Sequence, residues 1–338
     1  MTLKKQIEQK IELTYKILAN SEKTKLLCLS TTANLNNPST VFSSIRETRT
    51  TIAGSVLFRD LSFLEEIINA FDGFVDYFLV DCETKNEVSN LEEVARSLIR
   101  QSSIWIYKPN DITVDALDMW VCHLFPNMKN KKAVVVGTGN IGFKIALKLC
   151  ERGMDVTLNG RDHLRLQSLS TALNLIKRGQ GFIKGNIDLW ESTKMADLIL
   201  GCTPGIPVID EHAVQIMSDA GIIIDVGNGT LTPGGLRSAH TRNIKIFCLF
   251  MQGGYEGMIA NWEFTQQYLP KIQQKRLSSE IVIITPGTLG QYGNIIVDRM
   301  ESPRRVLGVC DGTGDVLAEE SAISFIQQYE SLIEKGSL

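Results

Sequence analysis

Residues 131–162 read KKAVVVGTGNIGFKIALKLCERGMDVTLNGRD, and the fold turns on this stretch. Ala133 to Val136 form the short apolar run of a buried strand and lead directly into Gly137-Thr138-Gly139-Asn140-Ile141-Gly142. After the glycines, Ile145, Ala146, Leu149 and Cys150 recur at helical spacing as far as Arg152-Gly153, and a second strand-like run ends at Asn159. Strand, Gly-x-Gly-x-x-Gly turn and helix within one βαβ unit of about 30 residues predict a dinucleotide site. Gly137 permits the tight turn, Gly139 lets a pyrophosphate approach the backbone, and Gly142 lets the helix pack on the strand. The N–H groups of Thr138, Asn140 and Ile141 and the helix dipole then meet the negative charge. The alternative for these glycines is a purely structural turn. A P-loop needs Gly-Lys-Ser/Thr after four spacer residues, so Gly142-Phe143-Lys144 excludes an ATPase of that kind.

The end of the second strand decides which dinucleotide is preferred. NAD enzymes place an Asp or Glu there, about 20 residues on, against the ribose hydroxyls. Here the residues are Asn159-Gly160-Arg161-Asp162, with Arg165 one helical turn further. A neutral amide and a guanidinium suit a 2′-phosphate, so NADP is expected, with NAD as the alternative. The bland reading makes Arg161 a solvated loop residue and Asp162 a helix N-cap. Three later turns, Cys202-Thr203-Pro204-Gly205, Asp225-Val226-Gly227-Asn228-Gly229 and Gln252-Gly253-Gly254-Tyr255, are placed to meet the nicotinamide half, or are ordinary turns.

Outward from this unit, strand-like runs at 25–31, 51–58, 76–82 and 103–107 alternate with helical patterns at 61–72 and 90–100. That rhythm predicts an α/β fold whose mostly parallel sheet is covered on both faces. A helix near 113–126 leads into a second series with strands at 132–136, 154–159, about 181–185, 197–202, 222–226 and 244–250. The expected organisation is an N-terminal α/β substrate domain over 1–112, joined by a C-terminal helix at 315–338 that Asp315 caps. A Rossmann-type doubly wound parallel-sheet domain follows over 113–275, and 276–314 forms an extension. Leu3, Ile7, Ile11, Tyr15 and Leu18 mark an amphipathic N-terminal helix packed on its own domain.

The 338 residues are 43% hydrophobic and 22% charged, the balance of a globular protein with a real core. A net charge of −3 gives no basic field for nucleic acid, and no apolar run approaches the roughly 20 residues that span a bilayer. The first 18 residues lack the apolar stretch of a signal peptide. Seven cysteines without a Cys-x-x-Cys pair fit reduced thiols in a cytoplasm, and four scattered histidines give no zinc spacing, so no metal is expected.

The layout resembles the amino-acid-dehydrogenase-like group, which includes shikimate dehydrogenase and the methylene-tetrahydrofolate and methylene-tetrahydromethanopterin dehydrogenases. The resemblance covers about 105–265: a substrate domain first, a linking helix, the glycine turn, and a strand end of the Asn/Gly-Arg type. Gly257-Met258-Ile259-Ala260-Asn261 is similar to the Gly-Met-Leu helix with which shikimate dehydrogenase reaches its substrate. Neither the Ser-x-Ser-Pro carboxylate loop nor the Asn-Thr-Asp-Gly segment is present. The resemblance implies a small-molecule substrate in the cleft between domains, beside the linking helix. Lys108 with Asp111, or Asp115 one turn on, is then the candidate proton-handling pair, unless Asp111 is a helix N-cap and Lys108 a surface residue. In Ser43–Thr50, Arg46 and Arg49 are candidate clamps for a substrate carboxylate or lie on a solvated helix face. Tyr255 and Asn261 are candidate substrate contacts.

The reading that results is an NADP-dependent oxidoreductase acting on a small polar carbonyl or imine compound, amino-acid-like because of the arginines. A homo-oligomer is compatible with it. The alternatives are a methylene-pterin or folate dehydrogenase, which needs Trp105, Trp120 and Trp262 along its cleft, and a non-catalytic NADP-sensing module.

Overall fold

The computed structural model describes residues 2–85 and 90–334 and divides into two compact units, Met1–Glu256 and Gly257–Leu338. The first unit begins with helix α1 (Leu3–Ala19), capped by the Thr2 hydroxyl. Ile7 and Leu18 of the predicted stripe are buried, whereas Leu3 is exposed and Tyr15 stacks on Phe74 at 3.8 Å between ring centroids. Strands β1 (Thr24–Thr31), β2 (Thr40–Glu47), β3 (Thr51–Phe58), β4 (Tyr77–Asp81) and β5 (Ser103–Tyr107) form a sheet of order β2-β3-β1-β4-β5. Helices α2 (Leu64–Phe71) and α3 (Leu91–Leu98) supply the crossovers. All neighbours run parallel except β2, which pairs antiparallel with β3 through a register shift between Ser43 and Arg46. Ser43–Glu47 is therefore edge strand rather than helix, continuing the β-branched and aromatic run Thr40-Val41-Phe42 once β3 offers a free edge. Leu27, Leu29, Val56 and Phe78 close a core with α1, α2 and α3.

Helix α4 (Pro109–Leu124) links the two sheets and begins earlier than its apolar periodicity indicates. Pro109 at the first helical position is pre-set for helix, so Lys108 occupies the N-cap position and Asp111 lies inside the first turn instead of capping it. The second sheet contains β6 (Lys132–Val136), β7 (Asp155–Asn159), β8 (Ile183–Asn186), β9 (Leu198–Gly201), β10 (Ile222–Asp225) and β11 (Lys245–Cys248). Around it lie α5 (Asn140–Glu151), α6 (His163–Ile176), α7 (Leu189–Thr193), α8 (Glu211–Gln215) and α9 (Pro233–Thr241). Its order, β11-β10-β9-β6-β7-β8, is wholly parallel, the doubly wound arrangement that the glycine turn predicts. The chain reverses direction across the sheet between β6 and β9, so a crevice opens at their carboxyl ends.

The long helix α10 (Gln252–Tyr268) follows β11. In the second unit, β12 (Gln274–Arg276), β13 (Val282–Ile284), β14 (Ile295–Val297) and β15 (Val306–Val309) form a four-stranded sheet in that order. Helix α11 (Glu319–Glu334) packs on it, with Ala322 and Tyr329 buried among Ile283, Ile295, Val297 and Val309. This corrects two expectations. The 276–314 stretch is a sheet with its own core, and the C-terminal helix belongs to that core, not to the N-terminal domain. Asp315 does not cap it: Asp315 lies in a loop braced by Asp311, and the helix starts four residues later at Glu319.

Among the described residues no helix is long and apolar enough to cross a membrane, and no cluster of side chains has the make-up of a metal site.

Candidate functional site

The turn after β6 has the geometry that its three glycines call for. Gly137 has φ +122°, and a Cβ there would lie 2.8 Å from the Cys202 carbonyl oxygen. A Cβ on Gly142 would lie 2.1 Å from the Gly137 carbonyl oxygen, so α5 can begin this close to the strand only without one. Gly139 differs, because a Cβ there would meet nothing within 4 Å. Its bareness relieves no internal crowding and leaves room for something from outside. Gly139 is also the N-cap of α5 and gives it no side-chain cap, so the first-turn N–H groups remain for a ligand. These residues fit the diphosphate of a dinucleotide.

At the end of β7 the candidates separate. The Asn159 side chain is buried and donates to the Asn186 carbonyl at 3.0 Å and to the Ser192 hydroxyl at 3.4 Å. That amide ties β7 to its neighbours and is not presented to a ribose. Gly160 lies against Thr138, where a Cβ would come within 2.8 Å of the threonine methyl. Asp162 caps α6 by accepting from the Arg165 N–H at 3.0 Å. The Arg165 guanidinium donates to the Thr138 carbonyl at 3.0 Å, which places a cation beside the glycine turn. Arg161 is exposed and has no hydrogen-bond or ion-pair partner among the described residues.

Within this first unit a cavity of about 310 Å³ opens beside the turn. One wall carries Gly139, Asn140 and Ile141, together with Cys202, Thr203 and Pro204 after β9 and Val226-Gly227 after β10. The last two turns meet backbone to backbone, since a Cβ on Gly227 would overlap the Thr203 carbonyl oxygen at 1.7 Å. The opposite wall comes from the N-terminal sheet: Thr31 to Asn34 at the end of β1, Lys85 beyond β4, and Asn110 at the start of α4. The volume is at the low end for ligand sites and suits a small substrate.

Lys85 is the residue that sequence reasoning missed. Its Nζ lies 2.7 Å from Asp81 Oδ2 and 3.6 Å from Glu83 Oε2, and the Asp81 carboxylate has no exposed surface. Asp81 also accepts from the Thr31 N–H at 3.1 Å and the Glu83 N–H at 2.8 Å, while Glu83 accepts from the Asn110 N–H at 2.8 Å. One signal was present in the sequence: an Asp that ends a parallel strand, with a Lys four residues on, stands where ligands of open α/β sheets bind.

Lys108, Asp111 and Asp115 have a different setting. They do not line the cavity but belong to a ladder between α4 and α5. Asp111 accepts from Lys108 at 2.9 Å and from Lys144, Asp115 pairs with Lys148 at 3.1 Å, and Asp118 holds Arg152 through bonds of 2.6 and 2.8 Å. Burial raises the Asp111 pKa, but the bonds from Lys144 and Lys108 outweigh it and hold the carboxyl below its ordinary range. The bond from Asp111 raises Lys108. Asp111 and Lys108 are thus each held in the charged form, which suits bracing better than proton exchange.

Arg46 and Arg49 lie at the other end of the N-terminal sheet. Arg46 pairs with Ala53, which pairs with Leu26, about 17 Å along β1 from the cavity wall at Thr31. Its guanidinium sits 5.5 Å from the centroid of the fully buried Tyr255 ring, and Arg49 is exposed in the turn between β2 and β3. Neither arginine is a clamp at this cavity, and Tyr255 is a packing residue there. Asn261 is exposed on α10, in the second unit. No tryptophan is among the cavity's lining residues, as a long aromatic pterin cleft requires; Trp120 instead packs edge-on against Phe247.

No protein-family model and no curated protein matches this sequence. Solved structures do resemble the chain. A shikimate dehydrogenase in complex with NADP+ is 13% identical, with a TM-score of 0.44, over 72% of this chain and 90% of that one. The quinate dehydrogenase of Corynebacterium glutamicum, in complex with NAD, is 18% identical, with a TM-score of 0.42, over 67% of this chain and 88% of that one. A dipicolinate synthase chain from Bacillus halodurans is 15% identical, with a TM-score of 0.37, over 61% of this chain and 70% of that one. A shikimate and a quinate dehydrogenase are thus among the proteins this chain is similar to. The ligands and substrates in those names belong to those proteins.

Proposed function

We propose that this chain is an oxidoreductase that uses NADP, with NAD as the weaker alternative, to interconvert a small polar carbonyl or imine compound with its reduced form. The observation that carries the reading is the cavity itself. One wall is the glycine turn and the β9 and β10 turns of a Rossmann sheet, and the facing wall carries an ammonium held by a buried carboxylate. A bound nicotinamide supplies or receives the hydride and its electron pair.

The chain's own residues do the rest. The Gly137–Gly142 turn holds the diphosphate, and Arg161 with Arg165 supports a 2′-phosphate. Thr203 and Gly227 shape the wall along which the nicotinamide half lies. Lys85 Nζ gives a proton to the substrate oxygen or nitrogen as the carbonyl or imine is reduced, and takes it back in the reverse direction. Asp81 orients that ammonium and does not itself touch substrate. This role replaces the one first expected of Lys108 and Asp111.

The test is absorbance at 340 nm with NADPH and a panel of small ketones, keto acids and imines. Consumption of NADPH with one member of the panel, abolished in Lys85→Ala, is the expected result. Tight NADPH binding with no turnover of any candidate points instead to a sensing module.

A further inference from the structure

We infer that the substrate is a neutral polyhydroxylated carbonyl compound, or the matching polyol, and not a carboxylic acid. The inference rests on the proposed hydride-transfer reading and assigns the substrate class of that same cavity.

Among the described residues that line the cavity, Lys85 is the one that carries charge, and its ammonium is already paired. Asp81 and Glu83 face its ammonium at 2.7 and 3.6 Å, so two carboxylates oppose one cation and the group is net negative. A substrate carboxylate brought there would meet like charge and lose its water without gaining a cation. Arg46 and Arg49, the carboxylate clamps expected from the sequence, stand at the far end of the sheet. What the wall does present is neutral hydrogen-bonding capacity. The Asn110 carboxamide has no partner among the described residues, and the Asn34 amide NH₂ donates to none, its oxygen alone accepting the Asn36 N–H at 2.9 Å. A carboxamide offers donors and acceptors together, and a hydroxyl needs both. Two of them beside an ammonium match adjacent hydroxyls next to a carbonyl. On reduction the carbonyl carbon takes the hydride, the C=O π pair moves to oxygen, and that oxygen takes its proton from Lys85 Nζ. The product is an alcohol, and the ammonium is restored from solvent.

The experiment compares kcat/KM for two sets of substrates matched in carbon number, with NADPH binding titrated in parallel. One set holds neutral polyhydroxy ketones, open-chain and cyclic, and the other holds keto and dehydro carboxylic acids. Neutral ketones are expected to exceed the acids by about tenfold or more, the scale at which a site distinguishes groups it can and cannot pair. Asn110→Ala is expected to raise KM for the neutral ketone about tenfold while kcat and NADPH affinity hold. Asn34→Ala serves the same purpose if Asn110→Ala fails to fold. Preference for acids, or no turnover of any neutral ketone by protein that binds NADPH, overturns the substrate class and leaves the cofactor reading standing. Absence of NADPH binding overturns the cofactor reading and the substrate class with it.

Discussion

Lys85 Nζ lies 2.7 Å from Asp81 Oδ2, with the lysine side chain 11% exposed and the carboxylate wholly buried at the carboxyl end of β4. A pair so enclosed, on the wall facing the glycine turn, is the one through which the proposed reaction moves its proton. Lys85→Ala should lower kcat by about 10² to 10⁴, the usual contribution of a positioned acid or base. NADPH affinity should be unchanged. A Lys85→Ala enzyme with full kcat sinks the assignment.

Asp81 acts through Lys85. In Asp81→Asn the ammonium loses the opposite charge that orients it, so kcat should fall by about tenfold or more while NADPH affinity holds. A merely structural Asp81 would change stability and leave the kcat of the folded enzyme in place. The variant should also be less stable, because Thr31 and Glu83 donate to the same carboxylate.

Gly139 and Gly142 are three residues apart and should fail differently. Gly139→Ala adds a methyl into open space, so the thermal midpoint should hold while dinucleotide affinity drops about tenfold or more. Gly142→Ala forces a methyl to 2.1 Å from a backbone oxygen, so it should lose stability first, by about 1–3 kcal/mol. Paired melting curves and cofactor titrations distinguish the two.

The α4–α5 ladder is graded by burial. Asp118 is 5% exposed and holds Arg152 with two bonds, whereas Asp115 is 61% exposed. Asp118→Ala should cost about 2–4 kcal/mol in denaturant unfolding and Asp115→Ala less than about 0.5 kcal/mol. Asp111 adds a pH signature. Its folded-state carboxyl is held low, so its contribution is present above the unfolded value near 3.9 and is lost as pH falls through the lower folded value. Asp111→Asn should remove that part of the acid-side decline.

Burial pushes the Cys202 thiol up to about 12 and Cys28 up to about 11, so both stay protonated at pH 8. Cys82 and Cys248 are exposed. Alkylation of the folded protein at pH 8, read by peptide mass spectrometry, should mark Cys82 and Cys248 well before Cys28 and Cys202. Early labelling of Cys202 contradicts the structure of the β9 turn.

What the sequence made legible follows from how local each signal is. The glycine turn of 131–162 depends on contacts within one βαβ unit, and Gly137 and Gly142 show the tight turn and the close helix packing that the spacing specifies. The edge strand β2 was misread because its pairing partner, β3, lies beyond a turn, and its own residues fit several structures. Asp111 and Asp115 look like candidate acids in isolation, but with Asp118 they form one face of a ladder. Their partners Lys144, Lys148 and Arg152 lie some 30 residues on and also recur at helical spacing, a match visible only when two helices are compared. Arg46 failed for a related reason. Position after a strand indicates a ligand only at the carboxyl end of the parallel direction, and the antiparallel β2 carries Arg46 back to the amino end. Lys85 escaped notice because nothing about Glu83-Thr84-Lys85 departs from a solvated loop until Asp81 is known to be buried.

The measurement that bears most directly on the account is a fluorescence titration of the purified chain with NADPH and with NADH, repeated on Gly139→Ala and Arg161→Ala. Saturable binding at one site per chain is predicted, with NADPH tighter than NADH by about tenfold, the worth of one charge-assisted hydrogen bond. That preference should vanish in Arg161→Ala, and all binding should weaken in Gly139→Ala. No saturable binding of either nucleotide, or equal binding by wild type and Gly139→Ala, would contradict it.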